Sequence, residues 1–169
     1  MLFFLGCGTG RHLVFLAQNG FEVYGFDSSP NALKLSNKWL NNLNLIAETS
    51  LQKMEEDFPF ENNFFDAVIS IQVIHHNKAE LVKKTVKEIE RVMKKGGILF
   101  ITIPDFHNYS RKHKWKLKEI ENRTYIPLDG PEKGLIHHFF TKEEIHETFC
   151  NFKILEIGLD PTNHRYILA

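Results

Sequence analysis

The chain has 169 residues, with 21 basic and 21 acidic side chains and 43% hydrophobic content, which is enough for one domain with a sizeable core. The balanced charge carries no signal for nucleic acid or a membrane surface, and no apolar run approaches the ~18 residues of a membrane span. Cys7 and Cys150 lie far apart, offer no zinc spacing and fit a reduced, cytoplasmic compartment.

Leu2-Phe3-Phe4-Leu5 reads as a short buried strand, and Gly6, Gly8 and Gly10 follow it at alternate positions. With no basic residues ahead of it and glycines so early, the run is a strand and not a leader peptide. Arg11 to Gln18 carries an apolar face of Leu13, Leu16 and Ala17, the pattern of a helix. Strand, glycine turn and helix together let backbone close on a ligand, because glycine has no Cβ to hold it off. The helix start adds unpaired N–H groups and a positive dipole end. Asn19-Gly20 stops this helix, and FEVYGFD is a second strand ending on Asp27. Ser29-Pro30 supplies an N-cap and first-turn pair for a helix to about Leu40.

NLIAET is a third strand, and FFDAVISIQVI (64–74) is a fourth, rich in β-branched residues. Residues 79–95 form a helix whose stripe is Val82, Val86, Ile89 and Met93, stopped by Lys94-Lys95-Gly96-Gly97. GILFITIP is the fifth strand. Residues 105–136 are polar and basic with little periodicity, an insertion within a single domain spanning 1–169. Thr141-Lys142-Glu143-Glu144 is a capping box for a last helix carrying Ile145 and Phe149. Two strands near 152–158 and 164–168 end the chain. Alternating strands and helices predict an α/β fold, a doubly wound, mostly parallel seven-stranded sheet. The last two strands, with no helix between them, predict a C-terminal antiparallel hairpin.

A dinucleotide fingerprint would place its third glycine at position 11, which is Arg11. Gly6-Cys7-Gly8-Thr9-Gly10 instead resembles motif I of the class I S-adenosylmethionine-dependent methyltransferases. The resemblance continues through Asp27 at the end of strand two, FPFENNFFDAVIS entering strand four and EIERVMKKGGILFI entering strand five. It implies S-adenosylmethionine as cofactor, wrapped by Leu5, Gly6, Cys7, Gly8 and Gly10. Asp27 and Ser28 would lie at the ribose, since one carboxylate can accept from two vicinal hydroxyls. Lys53 or Met54 would lie at the adenine, with Glu55 and Glu56 close by, and Gln72 would line the pocket with Ile71 or Val73. Two positions depart from the family pattern: Phe4 stands where the family carries an acid, and the adenine position has no aspartate. The family carries a helical segment ahead of strand one, and the resemblance leads to the expectation that this chain lacks it.

Ligands of open α/β sheets sit outside the carboxyl ends of the strands, which puts the methyl acceptor near residues 72–77 and 104–105, under 105–140. His75 and His76 are candidates for a base or an acceptor contact. Alternation along a strand would let only one of them face the site; the other reading is that one packs and one caps the next turn. His138 is a third catalytic candidate. Asn77, Tyr125, His137 and Phe139 are candidates for acceptor binding. No metal is expected at His137-His138, because adjacent histidines rarely chelate one ion and no acid or cysteine keeps ligand spacing beside them. Residues 107–123 hold Arg111, Lys112, Lys114, Lys116, Lys118 and Arg123, interleaved with Tyr109 and Trp115, a composition that suits RNA as well as a solvated face. The leading expectation is a methyltransferase acting on a small molecule. FDAVISIQVIHH and the later HHFF and EEI also resemble the tRNA wobble-uridine carboxymethyl methyltransferases, which makes tRNA an alternative acceptor. A non-catalytic or truncated binding protein is the third reading. The oligomeric state is not legible.

Overall fold

Phe3 and Leu5 belong to one hydrophobic cluster, Leu2 and Phe4 to another, and all four are buried. A strand buried on both faces belongs at the centre of a parallel sheet covered by helices, and the chain places it there. The structure, a computed structural model, describes residues 1–106 and 115–169. In chain order the elements are β1 (Leu2–Leu5), α1 (Arg11–Gln18), β2 (Val23–Asp27), α2 (Pro30–Asn42), β3 (Glu48–Leu51), β4 (Phe65–Ile71), α3 (Ala79–Val92) and β5 (Met93–Pro104). They continue with β6 (Leu117–Glu121), β7 (Thr124–Pro127), β8 (His137–His138), α4 (Lys142–Thr148), β9 (Glu156–Leu159) and β10 (His164–Leu168). The main sheet has seven strands in the order β3-β2-β1-β4-β5-β10-β9. The first five are parallel, and β10 runs antiparallel to both β5 and β9. Both the doubly wound parallel sheet and the terminal hairpin are as the sequence predicts.

On one face Phe3 meets Phe26 and Phe65, each at 5.0 Å between ring centroids, and Val82, Val86 and Ile89 of α3 close over the same cluster. On the other face Leu2, Phe4, Cys7, Leu13, Val23 and Leu33 pack together. The expected caps form: Ser29 Oγ accepts from Ala32 N at 3.2 Å, and Thr141 Oγ1 from Glu144 N at 3.0 Å.

The following departures from the sequence reading each have a local reason. Asn44 takes φ 52° and its N–H closes back on Asn41, so residues 43–45 finish α2 and β3 starts only at Glu48. β4 ends at Ile71 because Gln72, at φ 55°, turns the chain. α3 stops at Val92; Met93 already pairs with Phe65, and a bulge at Gly96, φ 77°, sets two residues of β4 against five of β5 before Ala67 meets Ile98. The insertion expected to lack regular structure carries an antiparallel three-stranded sheet, β6-β7-β8. Its turn at Asn122-Arg123 uses Arg123 at φ 59°, a position glycine usually fills, so the hairpin is hidden in the sequence. Tyr109, Arg111, Lys112 and Lys114 lie outside the described residues. Among the described residues no helix is long and apolar enough to cross a membrane.

Candidate functional site

At the carboxyl ends of β1, β2 and β4 lies a cavity of about 520 Å³, within the usual range for small-molecule sites. Leu5 and Gly6 form its floor, Asp27 and Ser28 one wall, and Gln52, Lys53, Met54 and Glu55 a second. Val73, His76 and Asn77 stand opposite, and Gly134, Leu135 and Ile136 reach over from the insertion.

The glycine loop and Asp27 hold each other. Asp27 Oδ2 accepts from Gly8 N at 2.8 Å and Oδ1 from Ser29 N at 2.9 Å. Gly6 N and Cys7 N both donate to the Phe26 carbonyl at 3.0 Å. Each carboxylate oxygen keeps a further lone pair beside the cavity. The structure brings Leu5, Gly6, Asp27, Ser28 and Met54 to one cavity. Met54 is anchored from behind, where Thr85 Oγ1 donates to its carbonyl at 2.9 Å. The loop beyond it is fastened by Arg91, which donates to the Phe58 and Phe60 carbonyls and pairs with Glu88 at 2.7 Å. The hydrogen bond from Arg91 is the main reason the Glu88 carboxyl stays below its usual range.

Gly10 supports the loop without lining the cavity, because its Cα lies against Ser36 of α2. Cys7 turns away from the cavity into the core, where burial and the nearby Asp27 charge push its thiol up to about 12. Cys150 is exposed. We expect iodoacetamide at neutral pH to alkylate Cys150 alone in the folded chain and both cysteines after denaturation, read by mass spectrometry; modification of native Cys7 would contradict the packing, since the thiolate is the reactive form. Phe4, in the position where an acid was expected, is buried and stacks on His12 at 5.0 Å and 12°. Burial, with a smaller contribution from Arg11, lowers the pKa of His12.

Several expected site residues move to structural roles. Ile71 packs on the second core cluster. Gln72 is turned onto Thr102, bonding Oγ1 through both its backbone N and Nε2 at 3.1 Å, and Val73 takes the cavity wall instead. His138 is buried and bonded at both ring nitrogens, to Thr124 Oγ1 at 2.7 Å and Glu144 Oε1 at 2.8 Å, so it fastens β8 to β7 and α4. Phe139 is fully buried beside Phe106 and Tyr125, and Tyr125 stacks on Phe106 at 5.3 Å, outside the cavity lining. Burial and then Glu119 raise the Tyr125 pKa. Arg123, counted among the basic residues, donates Nε to the Phe139 carbonyl at 2.6 Å and serves the fold.

His75 and His76 do not alternate, since the strand has already ended; their rings lie 3.9 Å apart at 41°. His76 lines the cavity with Nδ1 3.2 Å from the Ile136 carbonyl, and His75 sits behind it, fully buried. Burial lowers both pKa values, and His75 is held well below the usual range. Asn77 is at the rim, and His137 packs against both histidines from β8. Sequence reasoning offered Val73 as the alternative to Ile71 beside the pocket, and it missed Gln52 and the Gly134-Leu135-Ile136 strap. The strap had a signal: an apolar pair after a glycine in an otherwise polar loop.

Residues 4–101 match the family model of the methyltransferase domain, more than half of the chain. The chain belongs to the methyltransferase domain family. An uncharacterized methyltransferase of Synechocystis is 33% identical over 111 residues, covering 66% of this chain and 49% of the relative. A tRNA (carboxymethyluridine(34)-5-O)-methyltransferase of Arabidopsis thaliana is 33% identical over 156 residues, covering 88% of this chain and 36% of the relative. The chain thus spans half or less of the length of these two relatives. A solved protein of Pyrococcus horikoshii superposes with a TM-score of 0.84 at 21% identity, covering 99% of this chain and 79% of that one. An S-adenosylmethionine-dependent methyltransferase of Clostridium acetobutylicum superposes with a TM-score of 0.80 at 15% identity, covering 99% and 82%. This methyltransferase domain therefore shares the fold of solved S-adenosylmethionine-dependent enzymes, and its cavity lies at the strand ends where open α/β sheets take their ligands.

Proposed function

We propose that this methyltransferase domain binds S-adenosylmethionine in the cavity and transfers its methyl group to a small-molecule acceptor entering beside His76 and Asn77. The observation that carries the reading is Asp27, fixed by two backbone N–H groups with its remaining lone pairs beside the glycine loop. Two vicinal ribose hydroxyls suit that carboxylate, and Lys53, Met54 and Glu55 flank the region beyond it for the adenine. S-adenosylmethionine, when bound, supplies a sulfonium methyl with a good leaving group. The chain's own contribution is alignment and exclusion of water, by Val73 on one side and Leu135 and Ile136 on the other. A base is needed only where the acceptor loses a proton, and His76 is the ring placed to take it. His75 and His138 are not.

A second acceptor, tRNA, is favoured by the likeness to the plant enzyme over 88% of this chain, together with Lys116 and Lys118 on the exposed face of the insertion.

The test is the melting temperature with S-adenosylhomocysteine, followed by product release from S-adenosylmethionine with tRNA or with small-molecule pools. At 100 times its dissociation constant the ligand should add about 2.7 kcal/mol of stability. No shift in a folded sample overturns the cofactor reading. Turnover with tRNA that falls steeply with salt would select the second acceptor.

A further inference from the structure

Three histidines converge where the insertion meets the end of β4. His75 and His76 come from the turn after β4 and His137 from β8, and each offers a ring nitrogen within 4.8 Å of the other two. We propose that His75, His76 and His137 form a binding site for one divalent ion of the borderline class, zinc, cobalt or nickel, which clamps the 134–137 strap to the end of β4. The expectation of no metal weighed His137 and His138 as sequence neighbours; the fold instead combines His137 with His75 and His76, which are also adjacent, but which lie in a turn that brings their rings side by side at 3.9 Å and 41°.

Four observations support the site. Imidazole nitrogens are suited to ions of this class. His75 is buried, and its Nδ1 has no hydrogen-bond partner among the described residues, a costly arrangement that an ion would relieve. His76 holds Nδ1 3.2 Å from the Ile136 carbonyl, the arrangement by which a ligating histidine fixes its ring and presents Nε2. Glu132 stands 3.4 Å from His137 Nε2, where a carboxylate orients such a ring. Three nitrogens at about 2.1 Å from one ion stand roughly 3.4 Å apart in tetrahedral geometry, so nitrogens that lie within 4.8 Å of one another draw together on binding. The strap already follows this path, since His138 N donates to the His75 carbonyl at 2.8 Å.

A fourth position would open towards the cavity that His76 lines, available to water or to an oxygen or sulfur of the acceptor. With an ion bound, His76 is a ligand and not a base. The site rests on its own geometry, and it meets the methyl-transfer reading at that open position and at His76, whose role as a base it replaces.

The experiment is titration of the metal-stripped, full chain with zinc against a chromophoric chelator, without S-adenosylmethionine, together with the visible spectrum of the cobalt form. One ion per chain is expected, with the intense absorption of tetrahedral cobalt and a raised melting temperature. Glu132→Gln should weaken binding about tenfold, and His76→Gln and His137→Gln should weaken it further. His146→Gln, on the exposed side of α4, should leave it unchanged. His76→Gln changes a partly exposed cavity residue and is the variant to read if His137→Gln fails to fold. No ion taken up by the folded chain, or uptake that survives His76→Gln, overturns the proposal. A methyl-donor shift without zinc uptake defeats this site alone, and zinc uptake without a methyl-donor shift defeats the cofactor reading alone.

Discussion

Asp27→Asn is expected to weaken S-adenosylhomocysteine binding about 100-fold and to remove turnover, because hydrogen bonds to a charged acceptor contribute about 1.5–3 kcal/mol and each 1.4 kcal/mol is tenfold. The carboxylate holds the glycine loop through Gly8 N and the start of α2 through Ser29 N. Asparagine has one oxygen, so its NH2 must face one of those N–H groups donor to donor, and the single oxygen must serve both the other N–H and the ribose. Some loss of stability follows, and it has to be separated from loss of affinity. The deciding quantity is the ligand-induced rise in melting temperature, measured from each protein's own unliganded value, with calorimetric titration beside it. A variant that melts lower but keeps the full rise would assign Asp27 to the loop alone. A variant that loses the rise would assign it to the ligand as well.

The sheet was legible because its strands carry strong local signals: β1 and β4 are runs with few polar residues, and the caps at Ser29 and Thr141 use the residues that capping chemistry demands. Half of the site was legible for the same reason. A glycine loop and an acid at the end of the next strand are fixed by backbone geometry, so their meeting at one cavity follows from spacing, while the roles expected of them came from the family resemblance. The acceptor side was not. His75 and His76 were read by strand alternation, but Gln72 breaks the strand with a left-handed backbone that its residue type does not announce. His138 and Phe139 were read as facing the acceptor, yet they are buried by a small sheet whose β6–β7 turn contains no glycine. Their partners, Glu144 for His138 and Phe106 for Phe139, are set by tertiary packing. The histidine cluster has no sequence pattern, because it is assembled by the return of the insertion onto the end of β4.

Gly6→Ala is expected to cost roughly 2–5 kcal/mol, the sum of about 1–2 for a left-handed backbone and about 1–3 for overpacking. Gly6 lies at φ +73°, and a Cβ there would sit 2.6 Å from Val73 Cγ1 and 2.9 Å from its Cβ. Gly8 is the internal control: at φ +55° it has nothing within 4 Å, so Gly8→Ala should cost only the backbone part, about 1–2 kcal/mol. Urea unfolding of the two variants beside the parent measures both. Val73→Ala removes the two methyls that Gly6→Ala would strike but keeps the Cβ at 2.9 Å, so the double variant should recover part of the packing cost and leave the backbone part. Gly10 has no such remedy. At φ +91° its Cβ would meet Ser36 at Cβ, 2.9 Å, and at Cα, 3.0 Å, and the Cα belongs to the fixed backbone of α2. Ser36→Ala should therefore rescue Gly10→Ala less than Val73→Ala rescues Gly6→Ala. Equal costs for Gly6→Ala and Gly8→Ala would mean that the close approach of the loop to Val73 is not what requires glycine at position 6. Unequal costs would show that the loop is shaped by the wall it shares with the cavity, since Val73 lines that cavity as well.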